Sequence, residues 1–342
     1  MKAIVHIGMH KTGTSSIQAS FAKVPPSKTA YYTSNGTNLN QWARVMFEGI
    51  ESFGTSRQQT HFADADFAEL RQAESDKTDA FLSTCEQNAV ILSAERFTYM
   101  SDDATAQFAD WLNTRFSSVD VYAYVRDPLS FCRSSLQQRI KAISPDLSVH
   151  LDFPNYRKRF EKFETHFGSE NINYRLFRRS GLKEENVVPD FADWIGSAYN
   201  MADIISENEG MSLESLAFLV LLNQGDRRGF QSMRQTPALS ELVADVLSFP
   251  GSKWHYSEEM QSKIMTDIAS DCDWMDSRLP LPLLRHEIAS GQCVGGMEDL
   301  TAIGIESFET VRDHLLDRRF ERDTPMTRRL ALQSFNILKT DW

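Results

Sequence analysis

Small hydroxyl residues and glycines surround a single lysine near the amino terminus. In the segment HIGMHKTGTSS the lysine is Lys11, and its neighbours include Gly8, Thr12, Gly13, Thr14, Ser15 and Ser16. A glycine-rich turn that leads into a helix exposes backbone N–H groups and the positive end of the helix dipole, which together suit phosphate-like anions. Lys11 adds a full positive charge. The pattern therefore predicts an anion-binding loop.

The spacing of this loop is close to the phosphate-binding pattern G-x-x-x-x-G-K-[ST] of nucleotide hydrolases. Gly8 and Gly13 have the required separation, and Ser15 occupies the position of the final hydroxyl. Thr14 stands where the lysine is expected, and Lys11 lies three residues earlier. The cation is therefore displaced from its position in those enzymes. The alternative interpretation is an ordinary strand-to-helix turn with a solvated lysine.

A second pair of anion-binding residues follows a later strand pattern. Residues 119–125, VDVYAYV, are mostly β-branched and aromatic, which is typical of a buried parallel strand, and Arg126 stands at its end. Ser134 comes eight residues after Arg126, in a helix that Asp127 and Pro128 are suited to begin. A guanidinium forms a charge-assisted fork to phosphate, and a hydroxyl adds a donor. The alternative is an Arg126–Asp127 turn contact.

These two segments resemble the donor-binding motifs of PAPS-dependent sulfotransferases. HKTGTSS is similar to the 5′-phosphosulfate loop of that family, and Arg126 with Ser134 resembles its 3′-phosphate pair. The resemblance implies 3′-phosphoadenosine-5′-phosphosulfate (PAPS) as donor, 3′-phosphoadenosine-5′-phosphate (PAP) as product, and no metal. The implied donor contacts are Lys11, Thr12, Gly13, Thr14, Ser15, Arg126 and Ser134. The family's later G-x-x-G-x-x-K-type segment is not recognisable, and Arg133 or Arg139 could supply its charge.

Sulfuryl transfer to a hydroxyl needs a cation at the leaving oxygen and a base at the acceptor. Lys11 is the candidate cation. Glu95, just past a predicted strand, is the first candidate base, because some sulfotransferases, notably glycan-modifying ones, use a glutamate there; an ion pair with Arg96 is the alternative role. His10 is the rival base, and His61 is a third.

Strand and helix patterns alternate over the first 200 residues, which predicts a doubly wound, mostly parallel α/β sheet. The predicted strands are 3–7, 29–33, 88–93, 119–125 and 171–177. The predicted helices are 38–49, 63–86, 102–116 capped by Asp102, one beginning at Pro128, 156–167 and 186–195. Beyond residue 201 the pattern favours helices alone, at 212–224, 238–249, 258–269, 307–320 and 327–338. We therefore expect a PAPS-binding domain over 1–200 and a helical extension over 201–342 that packs on it as a candidate cover for the acceptor site.

The composition of the chain restricts its class. The 342 residues carry 36 Lys and Arg against 47 Asp and Glu, a net charge of −11, which argues against general nucleic-acid binding. The longest apolar run, residues 216–222, is too short to span a membrane. The four cysteines form no C-x-x-C pair and are expected to be free thiols. We expect a cytoplasmic, bacterial-type enzyme, with the oligomeric state open.

The sequence thus predicts transfer of a sulfuryl group from PAPS to a hydroxyl acceptor. The acceptors that we consider are carbohydrates and glycolipids. Phe97, Tyr99 and Trp254 are candidates to stack on a sugar, although ordinary packing is the alternative for each. Two other functions remain open. One is a P-loop kinase or nucleotide hydrolase, for which Asp127 is the nearest candidate magnesium ligand, although its place before Pro128 suits a helix cap better. The other is a nucleotide-binding protein of the same fold without catalysis.

Overall fold

The computed structural model describes residues 1–53, 64–142, 152–205, 210–224, 237–287 and 291–322. Within them the strands are β1 Lys2–His6, β2 Thr29–Tyr31, β3 Ala89–Ser93, β4 Ser118–Val125, β5 Ile172–Leu176, β6 Trp254–Tyr256 and β7 Gln292–Val294. The α-helices are α1 Thr14–Lys23, α2 Asn40–Ala43, α3 Asp64–Thr84, α4 Asp102–Arg115, α5 Pro128–Lys141, α6 Tyr156–Phe167, α7 Val187–Trp194, α8 Leu213–Gln224, α9 Pro237–Leu247, α10 Glu258–Asp276 and α11 Met297–Arg322. The α/β class predicted from the sequence is confirmed.

Two compact units divide the chain. The first takes the described residues of Met1–Asp127, Asn155–Asn208 and Ser270–Leu283, and the second takes those of Pro128–Pro154, Glu209–Ala269 and Leu284–Trp342. Each unit is therefore assembled from three separate stretches of sequence. This division differs from the single boundary near residue 200 that the sequence suggests.

Five parallel strands form the sheet of the first unit in the order β2-β3-β1-β4-β5. β1 lies at the centre and pairs with β3 on one side and β4 on the other. Because all strands run in the same direction, their carboxyl ends meet at one edge of the sheet. In open parallel sheets this edge is where ligands bind.

Helices cover the sheet on both faces, which is compatible with the predicted doubly wound arrangement. On one face, Tyr124 of β4 joins an apolar cluster with Phe21 of α1 and Phe191 of α7. Tyr174 of β5 is the register partner of Ala123, the residue next to Tyr124, so its ring points to the opposite face. There its ring centroid lies 5.4 Å from that of Phe160 in α6.

One buried carboxylate ties β4, β5 and α7 together in the first unit. Asp190 of α7 is only 3% exposed and accepts a hydrogen bond from the Tyr124 hydroxyl. It also accepts from Arg175 Nη1 at 3.0 Å and from the backbone N–H of Lys183 at 2.9 Å. The charge is thus paired and fully hydrogen-bonded, as a buried carboxylate requires.

The predicted elements of the first unit agree with the structure except in three details. The cap of α4 is Ser101 rather than Asp102, because the Ser101 Oγ accepts a hydrogen bond from the Ala104 N–H at 3.1 Å. The predicted helix 38–49 is a short α-helix that continues as a π-helical turn, Arg44–Glu48. The predicted strand 29–33 ends at Tyr31.

The second unit is mainly helical, and its centre is the apolar helix α8. Residues 216–222 of α8 are all buried. Gly304 of α11 lets this helix approach closely, since a Cβ at that position would lie 2.7 Å from the Ala217 carbonyl oxygen. A short parallel pair, β6 and β7, was not predicted from the sequence. The predicted helix 327–338 lies outside the described residues.

Two further expectations can be compared with the structure. All four cysteines are free thiols. Among the described residues, no helix has the length and apolarity needed to cross a lipid bilayer.

Candidate anion-binding and transfer site

Three neighbouring strands bring the principal sequence-predicted residues to one edge of the sheet. Glu95 follows β3, Lys11 follows β1 and Arg126 follows β4, and these strands are adjacent in the order β3-β1-β4. The residues are separated by up to 115 positions in sequence. The parallel sheet therefore brings the candidate base and two cations to one edge, although they lie far apart in sequence.

The loop between β1 and α1 begins as an extension of the strand ladder. The Met9 N–H donates to the Tyr124 carbonyl at 3.0 Å, and the Tyr124 N–H donates to the Gly8 carbonyl at 2.9 Å. The chain then leaves the sheet, with Lys11 at a φ of 69° and Gly13 at a φ of 72°. A left-handed conformation is costly for a lysine, and such strain concentrates at functional sites.

Gly13 is the N-cap of α1, and no side chain caps this helix. The amides of Thr14 and Ser15 precede the first intrahelical bond, which joins the Ile17 N–H to the Gly13 carbonyl at 3.2 Å. Amides in a first helical turn lack intrahelical acceptors and carry the positive end of the dipole. The start of α1 is therefore chemically suited to an anion, as the loop pattern predicts.

We expect replacement of Gly13 by alanine to destabilise the fold by about 1–3 kcal/mol. The left-handed φ is unfavourable for alanine, and its Cβ would lie 2.7 Å from Val187 Cγ1. Urea denaturation measures the effect. In a Val187→Ala background Gly13→Ala should lower the free energy of unfolding by less, but not by zero. The shorter side chain at 187 relieves the close contact, whereas the unfavourable φ remains. Equal stability of Gly13→Ala and wild type would contradict this account.

The hydroxyls of Thr12 and Thr14 point into the loop. Thr12 is fully buried and its Oγ1 donates to the Met9 carbonyl, and the Thr14 Oγ1 donates to the same carbonyl at 3.2 Å. These bonds hold the turn closed. Ser15, by contrast, is only half-buried at the start of α1. The structure thus gives the two threonines a loop-shaping role, with their backbone amides left as the groups suited to an anion.

Arg126 contacts the lysine loop directly. Its Nη1 donates to the Lys11 carbonyl at 2.6 Å, and its guanidinium carbon lies 6.0 Å from the ring centroid of Phe177. Its own carbonyl accepts from the Tyr156 hydroxyl at 2.6 Å. Arg126 therefore fixes the loop in the conformation that presents Lys11, and it adds a second positive charge beside it.

Glu95 opens a 3₁₀ turn, Glu95–Tyr99, just past β3. It packs close to Gly8, where a Cβ would lie 3.8 Å from Glu95 Cγ. The alternative ion pair with Arg96 is absent, because that guanidinium forks onto Glu48 at 2.6 and 2.8 Å. Burial raises the pKa of Glu95, while the Thr14 hydroxyl, whose one proton is shared between Glu95 and the Met9 carbonyl, and the charges of Lys11 and Arg159 act in the opposite direction.

The raised pKa of Glu95 predicts a pH-dependent gain in stability on replacing it with glutamine. Below its ordinary pKa of 4.5 the Glu95 carboxyl is protonated in both the native and the unfolded state, so the pKa shift does not affect the free energy of unfolding. As pH rises, the unfolded chain releases the proton first, and the native state is progressively destabilised. We expect Tm of Glu95→Gln to match wild type near pH 4 and exceed it at pH 7. Glu86 is exposed, so Glu86→Gln serves as the control. A difference in Tm between Glu95→Gln and wild type that shrinks as the pH rises would contradict this account.

His10 lies among cations and bonds to an exposed tyrosine. Its Nδ1 lies 3.0 Å from the Tyr99 hydroxyl. Burial, followed by the charges of Arg159, Lys11 and Arg126, lowers the pKa of His10 to about 3. The imidazole is therefore neutral at physiological pH and weakly basic, which favours Glu95 over His10 as a base.

Two cations of α6 complete the site, and sequence reasoning missed them. Arg159 is buried, and its guanidinium carbon lies 4.5 Å from the Tyr99 ring centroid. The Lys162 Nζ donates to the Thr98 carbonyl at 3.0 Å and to the Met100 carbonyl. Burial and Arg159 lower the pKa of Lys162 to about 8. One signal was available: Arg159 falls in line with the apolar stripe of α6, four residues before Phe163.

Other sequence candidates have different roles or positions. Asp127, the magnesium candidate, accepts a fork from Arg178 at 2.7 and 2.8 Å. Arg133 pairs with Glu287, and Arg139 lies 3.3 Å from Asp152. Ser134 is half-buried on α5, which belongs to the second unit, so its pairing with Arg126 stays a prediction.

Two expectations from the sequence remain, the third candidate base and the lack of a metal requirement. His61 lies outside the described residues. Within the described ranges, no group of three or more His, Cys, Asp or Glu side chains is arranged to hold a metal ion.

A scan against protein-family models finds no match for the chain, and a search among curated proteins finds none either.

Proposed function

We propose that the protein is a PAPS-dependent sulfotransferase that transfers a sulfuryl group to a hydroxyl acceptor. The observation that carries the proposal is the meeting of Lys11, Arg126 and Glu95 at the ends of three adjacent strands, with Arg126 bonded to the Lys11 carbonyl. One cation suits a phosphosulfate, the second suits a further phosphate group of the same nucleotide, and a carboxylate beside them suits a hydroxyl proton. Resemblance to the sulfotransferase loop motifs supplies the identity of the donor.

Each residue then has a distinct role in the transfer. The amides at the start of α1 and the Lys11 ammonium hold the phosphosulfate, and Lys11 neutralises the charge that develops on the departing phosphate oxygen. Glu95 accepts the proton of the acceptor hydroxyl as the new S–O bond forms. Arg126 takes the 3′-phosphate in the role that the resemblance implies. The acceptor is unidentified, and carbohydrate hydroxyls remain among the candidates.

A P-loop kinase or nucleotide hydrolase is the second candidate function, and two observations count against it. Thr14 occupies the lysine position of the P-loop pattern, and its hydroxyl donates to the Met9 carbonyl. Asp127, the nearest candidate for a magnesium ligand, carries the fork from Arg178.

Calorimetry with PAP and with ATP plus Mg²⁺ separates these functions. We expect PAP to bind at least tenfold more tightly, because the site offers cations at two places for a nucleotide with two separate phosphate groups. Tighter binding of ATP would contradict the proposal.

A labelled-sulfate assay separates the enzyme from a binding protein without catalysis. Glu95→Gln should lower transfer by about 10²–10⁴-fold, the range for loss of a general base, while PAP still binds. His10→Gln should retain more activity than Glu95→Gln. The reverse order would assign the base to His10, and binding of PAP with no transfer to any acceptor would favour the non-catalytic alternative.

A further inference from the structure

Tyr99 presents an exposed aromatic ring beside the candidate site. Tyr99 is 49% exposed. Phe97 and Trp254, the other aromatic candidates for ligand stacking, are 0% and 3% exposed. Phe97 stacks inside the core, with its ring centroid 4.6 Å from that of Phe108. Of the three candidates, Tyr99 alone has a ring face that a ligand can reach.

The ring is held in place at its backbone, at one face and at its hydroxyl. Lys162 binds the carbonyls of Thr98 and Met100, the residues on either side of Tyr99. The Arg159 guanidinium covers one face, and the hydroxyl bonds to His10 Nδ1. A ring fixed in this way loses little conformational freedom when a ligand stacks on it, so more of the contact energy appears as affinity.

The position of Tyr99 connects the base candidate to the donor loop. It is the last residue of the 3₁₀ turn that begins with Glu95. Its hydroxyl reaches His10, which directly precedes Lys11 in the loop. A molecule stacked on this ring therefore lies beside the groups that we assign to proton transfer and to the leaving phosphate.

We infer that the open face of Tyr99 is the acceptor subsite, and that the acceptor hydroxyl is borne on a ring that can stack on it, either the aromatic ring of a phenol or the apolar C–H face of a pyranoside. This inference rests on the proposed function. In the reaction, the acceptor oxygen forms the new bond to sulfur, its proton passes to Glu95, and the bond between sulfur and the bridging oxygen of PAPS breaks to leave PAP. Stacking on Tyr99 positions the ring of the acceptor, so that the acceptor hydroxyl reaches the Glu95 carboxylate.

Steady-state kinetics with three alcohols and labelled PAPS tests the subsite. The probes are p-nitrophenol, octyl β-D-glucopyranoside and 1-butanol, and the variants are Tyr99→Ala and Tyr99→Phe. We expect Tyr99→Ala to raise KM for the preferred ring probe about three- to tenfold, the range for loss of one stacking contact. Tyr99→Phe should stay within about twofold, because the ring remains. KM for 1-butanol and the Kd of PAP should not change.

Met201→Ala is the matched control, since Met201 is 45% exposed and lies outside the site. The preferred ring probe distinguishes the phenol from the sugar. If the wild type binds PAP but neither ring probe is a substrate, or if Tyr99→Ala leaves KM for both unchanged, the inference is wrong and the donor assignment stands. If the wild type does not bind PAP, the proposed function itself fails.

Discussion

Replacing Lys11 with glycine should lower the rate of sulfuryl transfer by about 100- to 1,000-fold without destabilising the fold. We expect the rate to fall because the role that we propose for Lys11 at the leaving oxygen requires its ammonium, which glycine lacks. Stability is retained because Lys11 has a φ of 69°, a conformation that glycine adopts without strain. We expect the free energy of unfolding to stay the same or rise by up to about 1 kcal/mol. The labelled-sulfate assay and urea denaturation measure the two effects.

Lys28 provides a matched control for this experiment. It is also a lysine in the left-handed region, with a φ of 63°, but it is exposed and precedes β2 rather than lying in the loop. Lys28→Gly should change stability in the same direction and leave transfer unaffected. If Lys11→Gly retains transfer, the ammonium is not the cation at the leaving oxygen. If it instead unfolds the protein, the strain argument is wrong.

Replacing Arg126 with lysine should weaken PAP binding by about 10- to 100-fold. A lysine keeps one charge but cannot both donate to the Lys11 carbonyl and present a fork to phosphate. A hydrogen bond to a charged group contributes about 1.5–3 kcal/mol, which corresponds to this range of affinity. Calorimetry with PAP measures the change.

Arg157→Lys is the control for Arg126, because Arg157 lies on the exposed side of α6 and pairs with Glu161. Its replacement should leave PAP affinity within about twofold. Full PAP affinity in Arg126→Lys would mean that Arg126 only shapes the loop. Because Arg126 touches the Lys11 carbonyl, we also expect this variant to transfer sulfate more slowly at saturating PAPS.

The three central strands of the sheet could be predicted from the sequence because they are mostly buried and read as short apolar runs. The runs around Ile4, Ile91 and Val121 each predict a strand to within about two residues. β6 and β7, of three residues each, were not predicted, because they lie among segments whose pattern favours helices alone. Helix α11 is much longer than predicted, beginning at Met297 rather than near residue 307, because its first turns carry no strong apolar periodicity.

The site could be predicted only where a residue's role depends on its own loop or turn. Lys11 and Glu95 each follow a recognisable strand, so their meeting at one sheet edge was a reasonable expectation. The roles of Arg159 and Lys162 depend instead on α6 packing against the turn that ends at Tyr99. Nothing local to α6 indicates that contact, apart from a cation in its apolar stripe.

The orientation of hydroxyl groups was equally inaccessible to sequence reasoning. Thr14 is a natural phosphate ligand by residue type, yet its side chain closes the loop through the Met9 carbonyl. A threonine hydroxyl in a tight turn can donate to any of several nearby backbone acceptors. Which acceptor it bonds to depends on the path of the chain. The tertiary structure decides that path here, through Arg126 and the strand ladder beneath the loop.

The bonds that extend β1 into the loop have a consequence for hydrogen exchange. Central strands exchange their amide protons only when the whole domain opens, whereas loops exchange through small local fluctuations. Because the Met9 amide is bonded to Tyr124 of β4, we expect its protection to approach that of Ile4 and Val5. Slow exchange should therefore extend from the central strand to within two residues of Lys11, the candidate cation.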